Sequence, residues 1–566
     1  AYTVSNFAGG ISNAGAIASG HTGISVSGVS TFASGVTNSG TISAGSIGIA
    51  VNRVANFTGG VVNVSTGTIA GNIGVRVGGT TGSGVYTVSN FAGGISNAAT
   101  IAAGHTGISV SGVSTFGGGV TNSSTITAGN TGIAVDRVAN FTGGVVNVST
   151  GTIAGTVGIR VGGTTGGAYA VSNFAGGISN AGTIAAGHTG ISVSGVSTFA
   201  SGVSNSGTIS AAAAIGIAIN NVSTFSGGIS NSGSIAANTG IQIGSGVASF
   251  AGAISNSGTI SGTTAIDVSA AQNAITINQN AGLISGTVKL SLHSDVFNIS
   301  GGSIAGNIIG SGTLDTINFN LGVNTFTYGS SYGFSTIRQV NVTSGTVVLN
   351  GNNSAAGMAV SNAGTLAGTG TINVSSLAGL SVAGALAPGA PGTAGGTLTI
   401  AGNLTFAHSG IYIDTISGVS ASSTLINNGT VTLNGAGVQI ASGSAIAAGT
   451  TYAIMVDNAG TISGTFNPAV SYQETIGGKD YLFTGTLSYG SEDVDLTFAR
   501  CYAGPYPYTN TGKTSGLCVV NTSFTGNVGN TGAITQNGIL VTGSTILGSI
   551  VDTGTLIGGT DSSEPA

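Results

Sequence analysis

The chain has no tryptophan, two methionines, two cysteines and six prolines in 566 residues, and only 4% of its residues are charged. Each scarcity excludes something. Nine basic side chains against fourteen acidic ones give a formal net charge of −5, with no basic patch to hold a phosphodiester backbone. Nucleic acid is therefore not an expected partner. So little charge also leaves little to oppose self-association. Acids are scarcest where the chain is most regular: residues 1–262 contain Asp136 alone, next to Arg137. Glycoside hydrolysis needs two carboxyl groups ~5–9.5 Å apart, so no site of that kind fits there. The densest acidic cluster is Glu492, Asp493 and Asp495. Alternation puts Asp493 and Asp495 on one strand face, which reads as a solvated edge strand. No Ser-His-Asp set can be assembled, and the Gly-rich stretches lack the Gly-Lys-Ser/Thr of a phosphate loop. We expect no catalytic residue, no cofactor and no metal site.

Long apolar runs are also missing. The longest candidate, Ala211 to Ile219, falls well short of the ~20 residues a membrane helix needs, so the chain is not expected to span a membrane. There is no initiator Met and no charged-then-apolar leader, which suggests a processed chain or a fragment. The two cysteines, Cys501 and Cys518, suggest one disulfide and an oxidising, extracytoplasmic setting.

What the chain has in abundance is repetition. It holds 104 glycines, and 41% of its residues are apolar. A Phe recurs at Phe7, Phe32, Phe57, Phe91, Phe116, Phe141, Phe174, Phe199, Phe225 and Phe250. Six residues after each stands an Asn: Asn13, Asn38, Asn63, Asn97, Asn122, Asn147, Asn180, Asn205, Asn231 and Asn256. The step is mostly 25 residues, with two longer steps of 34 and 33. A fixed period of this size announces a repeat architecture. Short apolar alternations such as Gly23-Ile-Ser-Val26 read as strands, and the Gly/Asn clusters between them as turns. About three strands fit in one unit. The expected fold is all-β, a right-handed parallel β-solenoid of ~25-residue coils, in which each coil stacks on the next to make the core. Equivalent residues then lie ~4.8 Å apart. The ten Phe become an internal aromatic stack and the ten Asn an amide ladder, as in cross-β stacking.

Residues 1–84 and 85–167 are near copies of a three-coil block, and a third copy begins at Tyr169. The extra residues of the long steps, 80–87 and 164–170, are expected to be protruding loops. His21, His105 and His188 occur once per block, so neighbours stand ~14 Å apart. That is too far to share a metal, and they read as turn residues. The expected organisation is a regular Phe/Asn-ladder solenoid over 1–262, irregular coils over 263–382, a changed β pattern over 383–499, a disulfide loop over 500–523, and resumed coils over 524–566. In the last part Phe524, Asn530 and Ile534 repeat the founding spacing.

The stretch 383–499 contains Ala385-Leu-Ala-Pro-Gly, then Gly396-Thr-Leu-Thr-Ile-Ala-Gly-Asn-Leu404, then Tyr489 followed by Asp493-Val-Asp-Leu496. These motifs resemble the C-terminal passenger segment of proteobacterial autotransporters. The upstream Asn-x-Gly-Thr-Ile repeats resemble the same family's passengers, so the resemblance covers roughly 1–499. It implies a right-handed β-helix and a secreted, cell-surface protein of a Gram-negative bacterium. Those proteins end in a membrane β-barrel of alternating strands; after 499 this sequence shows a Cys-bounded Tyr/Pro/Gly loop and more coils instead. Asp315, in Gly310-Ser-Gly-Thr-Leu-Asp315, is similar to a calcium-binding β-roll nonapeptide, but the repeated core is missing, so no calcium site is expected.

The segment Leu556-Ile-Gly-Gly-Thr560 followed by Tyr2-Thr-Val4 repeats the internal junction from Gly78 to Phe91. The expected function follows: an extracellular structural protein, secreted to the cell surface or a biofilm matrix. It forms a stiff homopolymeric fibre by head-to-tail stacking, ~100 Å per chain if some 20 coils stack, with cell-surface or glycan contacts. The alternatives are a monomeric autotransporter passenger acting as an adhesin and, disfavoured by the missing acids, a β-helix enzyme acting on polysaccharide.

Overall fold

A computed structural model describes residues 4–79, 87–163, 170–312, 314–458 and 461–557. Among these residues every regular element is a β-strand, and the strands stack in parallel as a β-solenoid.

One coil shows how the sequence makes the fold. It consists of Thr22–Phe32, Val36–Asn38 and Thr41–Ala44. In the first of these strands Ile24 and Val26 are buried while Ser25 and Ser27 face solvent. This is the period-two pattern of a strand with one wet face. The strand bends at Gly28, whose φ is 70°, and carries on to Phe32. The same corner, four residues before the Phe, is occupied by Gly112 and Gly195 but also by Arg53, Arg137 and Asn221, with φ of 51°, 49° and 48°. A left-handed conformation costs a non-glycine residue ~1–2 kcal/mol, so the stacked neighbours hold these three in place. A second corner follows three residues after the Phe. There Gly35 has φ of 84°, and a Cβ would lie 2.4 Å from the Gly60 carbonyl oxygen of the next coil. Only glycine fits.

Coils pair in register. Phe32 pairs with Phe57, Asn38 with Asn63, and Ile42 with Ile69. The isoleucine row continues through Ile101, Ile126, Ile153, Ile184, Ile209, Ile235, Ile260, Ile284 and Ile304, all buried. The loops expected at the long steps lie outside the described residues, except Thr87 and Ala170. Residues 1–3 and 558–566, which carry most of the terminal match, lie outside them too.

The chain divides into two compact units. One contains Ala1–Asn318 and Ser331–Arg338; the other contains Phe319–Ser330 and Gln339–Ala566. In the first unit the coil shortens after Asn256. Ile277 pairs with Phe297, and buried Asp295 and Asp315 brace successive turns. Asp295 accepts the backbone N–H groups of Ile275 and Ser291 at 2.6 and 2.5 Å. Asp315 accepts those of Asp295 and Ser311 at 3.1 and 3.2 Å.

In the second unit parallel coils run from Asn352–Gly368 to Thr451–Asp457. The pairing then turns antiparallel: Val470–Ile476, Lys479–Tyr489 and Asp493–Gly504 form a meander. Parallel coils resume after it, and they start earlier than the sequence suggests. Residues 500–523 are not simply a loop. Tyr508–Asn510, Lys513–Thr514 and Leu517–Val520 are strands that pair with Val528–Asn530, Ala533–Ile534 and Ile539–Thr542. The sequence concealed this coil because a Tyr/Pro-rich segment takes the place of its Phe strand. Cys501 and Cys518 form a disulfide with Cα atoms 5.7 Å apart and a sequence separation of 17. It ties the meander to the first resumed coil. Closing a loop of that length stabilises the folded state by ~3 kcal/mol.

Candidate functional site

The phenylalanine row is a continuous stack. From Phe7 to Phe250 successive ring centroids lie 4.7–5.1 Å apart, with interplanar angles of 1–6°. That spacing is the strand separation itself, so the backbone dictates the stack. Phe32 through Phe250 are buried, whereas Phe7 in the first described coil is 39% exposed.

The asparagine row is a ladder with a direction. Each Nδ2 donates to the Oδ1 of the following coil: Asn13 to Asn38 at 2.8 Å, Asn38 to Asn63 at 2.9 Å, Asn63 to Asn97 at 2.9 Å and Asn97 to Asn122 at 2.8 Å. The run continues through Asn147, Asn180, Asn205, Asn231 and Asn256 at 2.7–2.8 Å. The second amide hydrogen fixes the orientation, because Nδ2 also faces a carbonyl two residues on, as Asn38 does with Gly40 at 3.0 Å. Gln279 receives the last donor at 2.8 Å and turns its own Nε2 to the Ala281 carbonyl at 2.7 Å. The ladder therefore ends satisfied, which matters because an orphaned buried donor costs ~1–3 kcal/mol.

A shorter ladder with the same direction lies in the second unit. Asn510 donates to Asn530 at 2.8 Å, and Asn530 to Asp552 at 2.9 Å. Asp552 also accepts the Gly554 N–H at 3.1 Å. Its ring row is mixed: Tyr506 stacks on Phe524 at 5.1 Å, and Phe524 pairs with Ile546. The last described coil exposes side chains at positions the preceding coil buries, Ile550 at 46% and Leu556 at 53%.

No motif in the sequence marks a cleft of about 370 Å³ that lies beside the disulfide. Four strands line it. Lys479 and Tyr481 come from Lys479–Tyr489, Arg500 and Tyr502 from Asp493–Gly504, and Tyr508 and Lys513 from the first resumed coil. The Arg500 guanidinium lies over the Tyr481 ring, 4.8 Å from its centroid. Tyr502 stacks on Tyr508 with centroids 3.8 Å apart. Burial, and then the neighbouring Tyr508, push the Tyr502 hydroxyl up to about 12, so it stays protonated and donates to the Pro505 carbonyl at 2.7 Å. One signal could have pointed here: three of the nine basic residues fall between 479 and 513.

The remaining candidates are structural. His21, His105 and His188 are exposed, each with Nδ1 against the next threonine hydroxyl at 2.9–3.1 Å. Asp315 spends its oxygens on backbone N–H groups. Burial, with nearby Asp295 adding to it, pushes its carboxyl up to about 6. Glu492 is exposed, and Asp493 and Asp495 are half-buried on the meander; burial, then Asp493, raises the Asp495 carboxyl. Among the described residues no three His, Cys, Asp or Glu side chains gather as a metal site would require.

Fold and ladders together define a class: a repeat protein of the parallel β-solenoid type. No family model matches the chain, and no curated protein matches it significantly.

Proposed function

We propose that this protein is an extracellular structural element that builds a stiff fibre by end-to-end stacking of solenoid coils, as a filament of a cell surface or matrix. The observation that carries this reading is the uniform in-register stacking from Phe7 to Phe250 and from Asn13 to Asn256, rows that one more coil would continue with the same contacts. Val4 and Phe7 at one limit, and Ile550 and Leu556 at the other, are each at least 39% exposed, opposite Val29, Phe32, Val528 and Ile534. They stand in rows whose internal members are buried. An uncapped coil leaves strand edges and apolar rows that another coil would cover, and repeated head-to-tail contact makes an open filament.

The ladders restrict how such a joint forms. Setting Asn13 opposite Asp552 faces an amide oxygen with a carboxylate oxygen, two acceptors, because both ladders point their donors the same way. Apolar rows and backbone pairing would carry the joint, and the amide ladder would not. A second reading, a monomeric passenger acting as an adhesin, draws on the motifs of 383–499 and on the antiparallel meander that interrupts the parallel coils there. Electron microscopy of native material separates the two. Filaments of regular axial repeat that disperse in a Leu556→Asp variant support the fibre. Isolated particles at every concentration would give the passenger reading precedence.

A further inference from the structure

We propose that the cleft bounded by Lys479, Tyr481, Arg500, Tyr502, Tyr508 and Lys513 binds one anionic sugar unit of a polysaccharide, a ring carrying a carboxylate or a sulfate. The inference rests on the cleft alone and stands whether or not the chain forms a fibre.

The first argument is charge. The chain has nine basic side chains, and three of them meet in a space of about 370 Å³. The one ion pair among the described residues is Lys289 with Asp267, at 3.7 Å, so none of the three cleft cations has a carboxylate partner there. The nearest acid in sequence, Asp480, is engaged by the Thr475 hydroxyl at 2.6 Å. Its charge also reaches Tyr502 at the cleft wall, where it helps to raise that hydroxyl, but it forms no ion pair with the three cations. Converging cations repel one another, and an anion between them relieves that repulsion.

The second argument is shape and surface. The volume lies in the ~300–1,000 Å³ range of small-ligand sites, at the end that suits a single sugar ring. Tyr481 and Tyr508, both half-buried, supply ring faces on which a pyranose can lie. Asn510, Ser515 and Thr535 add amide and hydroxyl groups to the lining, which match a ligand rich in hydroxyls. Arg500 is held by its stack on Tyr481. A guanidinium fixed in this way presents its N–H fork edge-on, in the geometry that pairs with a carboxylate or sulfate. The disulfide fastens the two walls of the cleft to each other, so the site is largely formed before ligand arrives. That lowers the ordering cost of binding.

The third argument is the setting. A chain of net charge −5 repels long polyanions except where its cations are concentrated, which favours one charged unit held locally over a nucleic acid held along a groove.

The test is calorimetric titration of the full chain with four probes: a galacturonate trisaccharide, a heparin-derived tetrasaccharide, maltotriose and a single-stranded DNA oligonucleotide. Binding of either anionic saccharide, weakened by salt and absent with maltotriose, is the expected result. The stronger of the two tells whether carboxylate or sulfate is the natural charge. Lys479→Gln and Lys513→Gln alter exposed side chains, so folding should survive. Each should weaken binding roughly tenfold, and Tyr481→Phe should leave it nearly unchanged. No saccharide binding at millimolar concentration, equal binding of maltotriose, tighter binding of DNA, or unchanged affinity in the double lysine variant would each overturn the proposal.

Discussion

The coils of Val4 to Asn256 and those of Tyr508 to Leu556 follow one plan and differ in how uniformly they carry it out. In the first stretch every rung of a row is the same residue: Phe on Phe, Asn on Asn, Ile on Ile. In the second the rows are mixed, with Tyr506, Phe524 and Ile546 in one and Asn510, Asn530 and Asp552 in the other. Uniform rows make the interior coils nearly equivalent, so each further coil repeats the same contacts until a different residue, Gln279, closes the ladder. Mixed rows make each coil distinct, and a rung such as Asp552 has no hydrogen to pass on. Uniformity gives extension, and variation gives an end or a joint with its own chemistry.

Removing an interior ring should break this comparison most visibly. Phe141→Ala deletes a fully buried side chain with a stacked neighbour on each side, and should destabilise the first unit by about 4 kcal/mol. Phe524→Ala, in the mixed row where the ring is only partly buried, should cost clearly less. Denaturant unfolding followed by a local probe in each unit reads the difference; equal losses would mean that uniform stacking adds nothing.

The two units should also separate by pH. Burial pushes the Asp414 carboxyl in the second unit up to about 7, although its Oδ1 accepts the Ser422 N–H at 3.0 Å. A carboxyl whose folded value lies above its unfolded one binds a proton more readily when folded. Stability therefore rises as pH falls through 7 and levels off below the unfolded value. Between about pH 8 and about pH 5 the gain should be about 3 kcal/mol. Asp315 gives the first unit a gain of the same sign, beginning nearer pH 6. Asp414→Asn should flatten the rise in the second unit alone, as measured by unfolding midpoints across pH.

The smallest effects belong to the ladders. Asn147→Ala takes the acceptor from Asn122 and the donor from Asn180, a loss of about 2 kcal/mol. Asp552→Asn works in the opposite sense, because it restores a donor to the last described rung. It should raise self-association by severalfold in sedimentation velocity; no change would mean that the joint does not use this face.

The long-range pairing of the first stretch was legible in the sequence for a physical reason. When equivalent coils stack in register, a residue's neighbour across the sheet is its own counterpart one period away, so the Phe and Asn spacings already state the contacts. The Gly three residues after nine of the ten Phe could likewise be seen in the sequence, though its purpose, the absence of room for a Cβ at positions such as Gly35, could not. Asn510 went unread as a rung because Tyr506 stands four residues before it, where a Phe six residues before was the signal.

By itself, then, the sequence determined the repeat, its strands, its parallel stacking and the two rows that fill it. These follow from local alternation and a fixed period. Tertiary structure alone decided the antiparallel meander, the direction in which the amide ladder donates, and the meeting of Lys479, Arg500 and Lys513 with three tyrosines. Those residues lie on separate strands with no period relating them. Only the turn of the meander and the return of the chain into a parallel coil bring their side chains to one cleft.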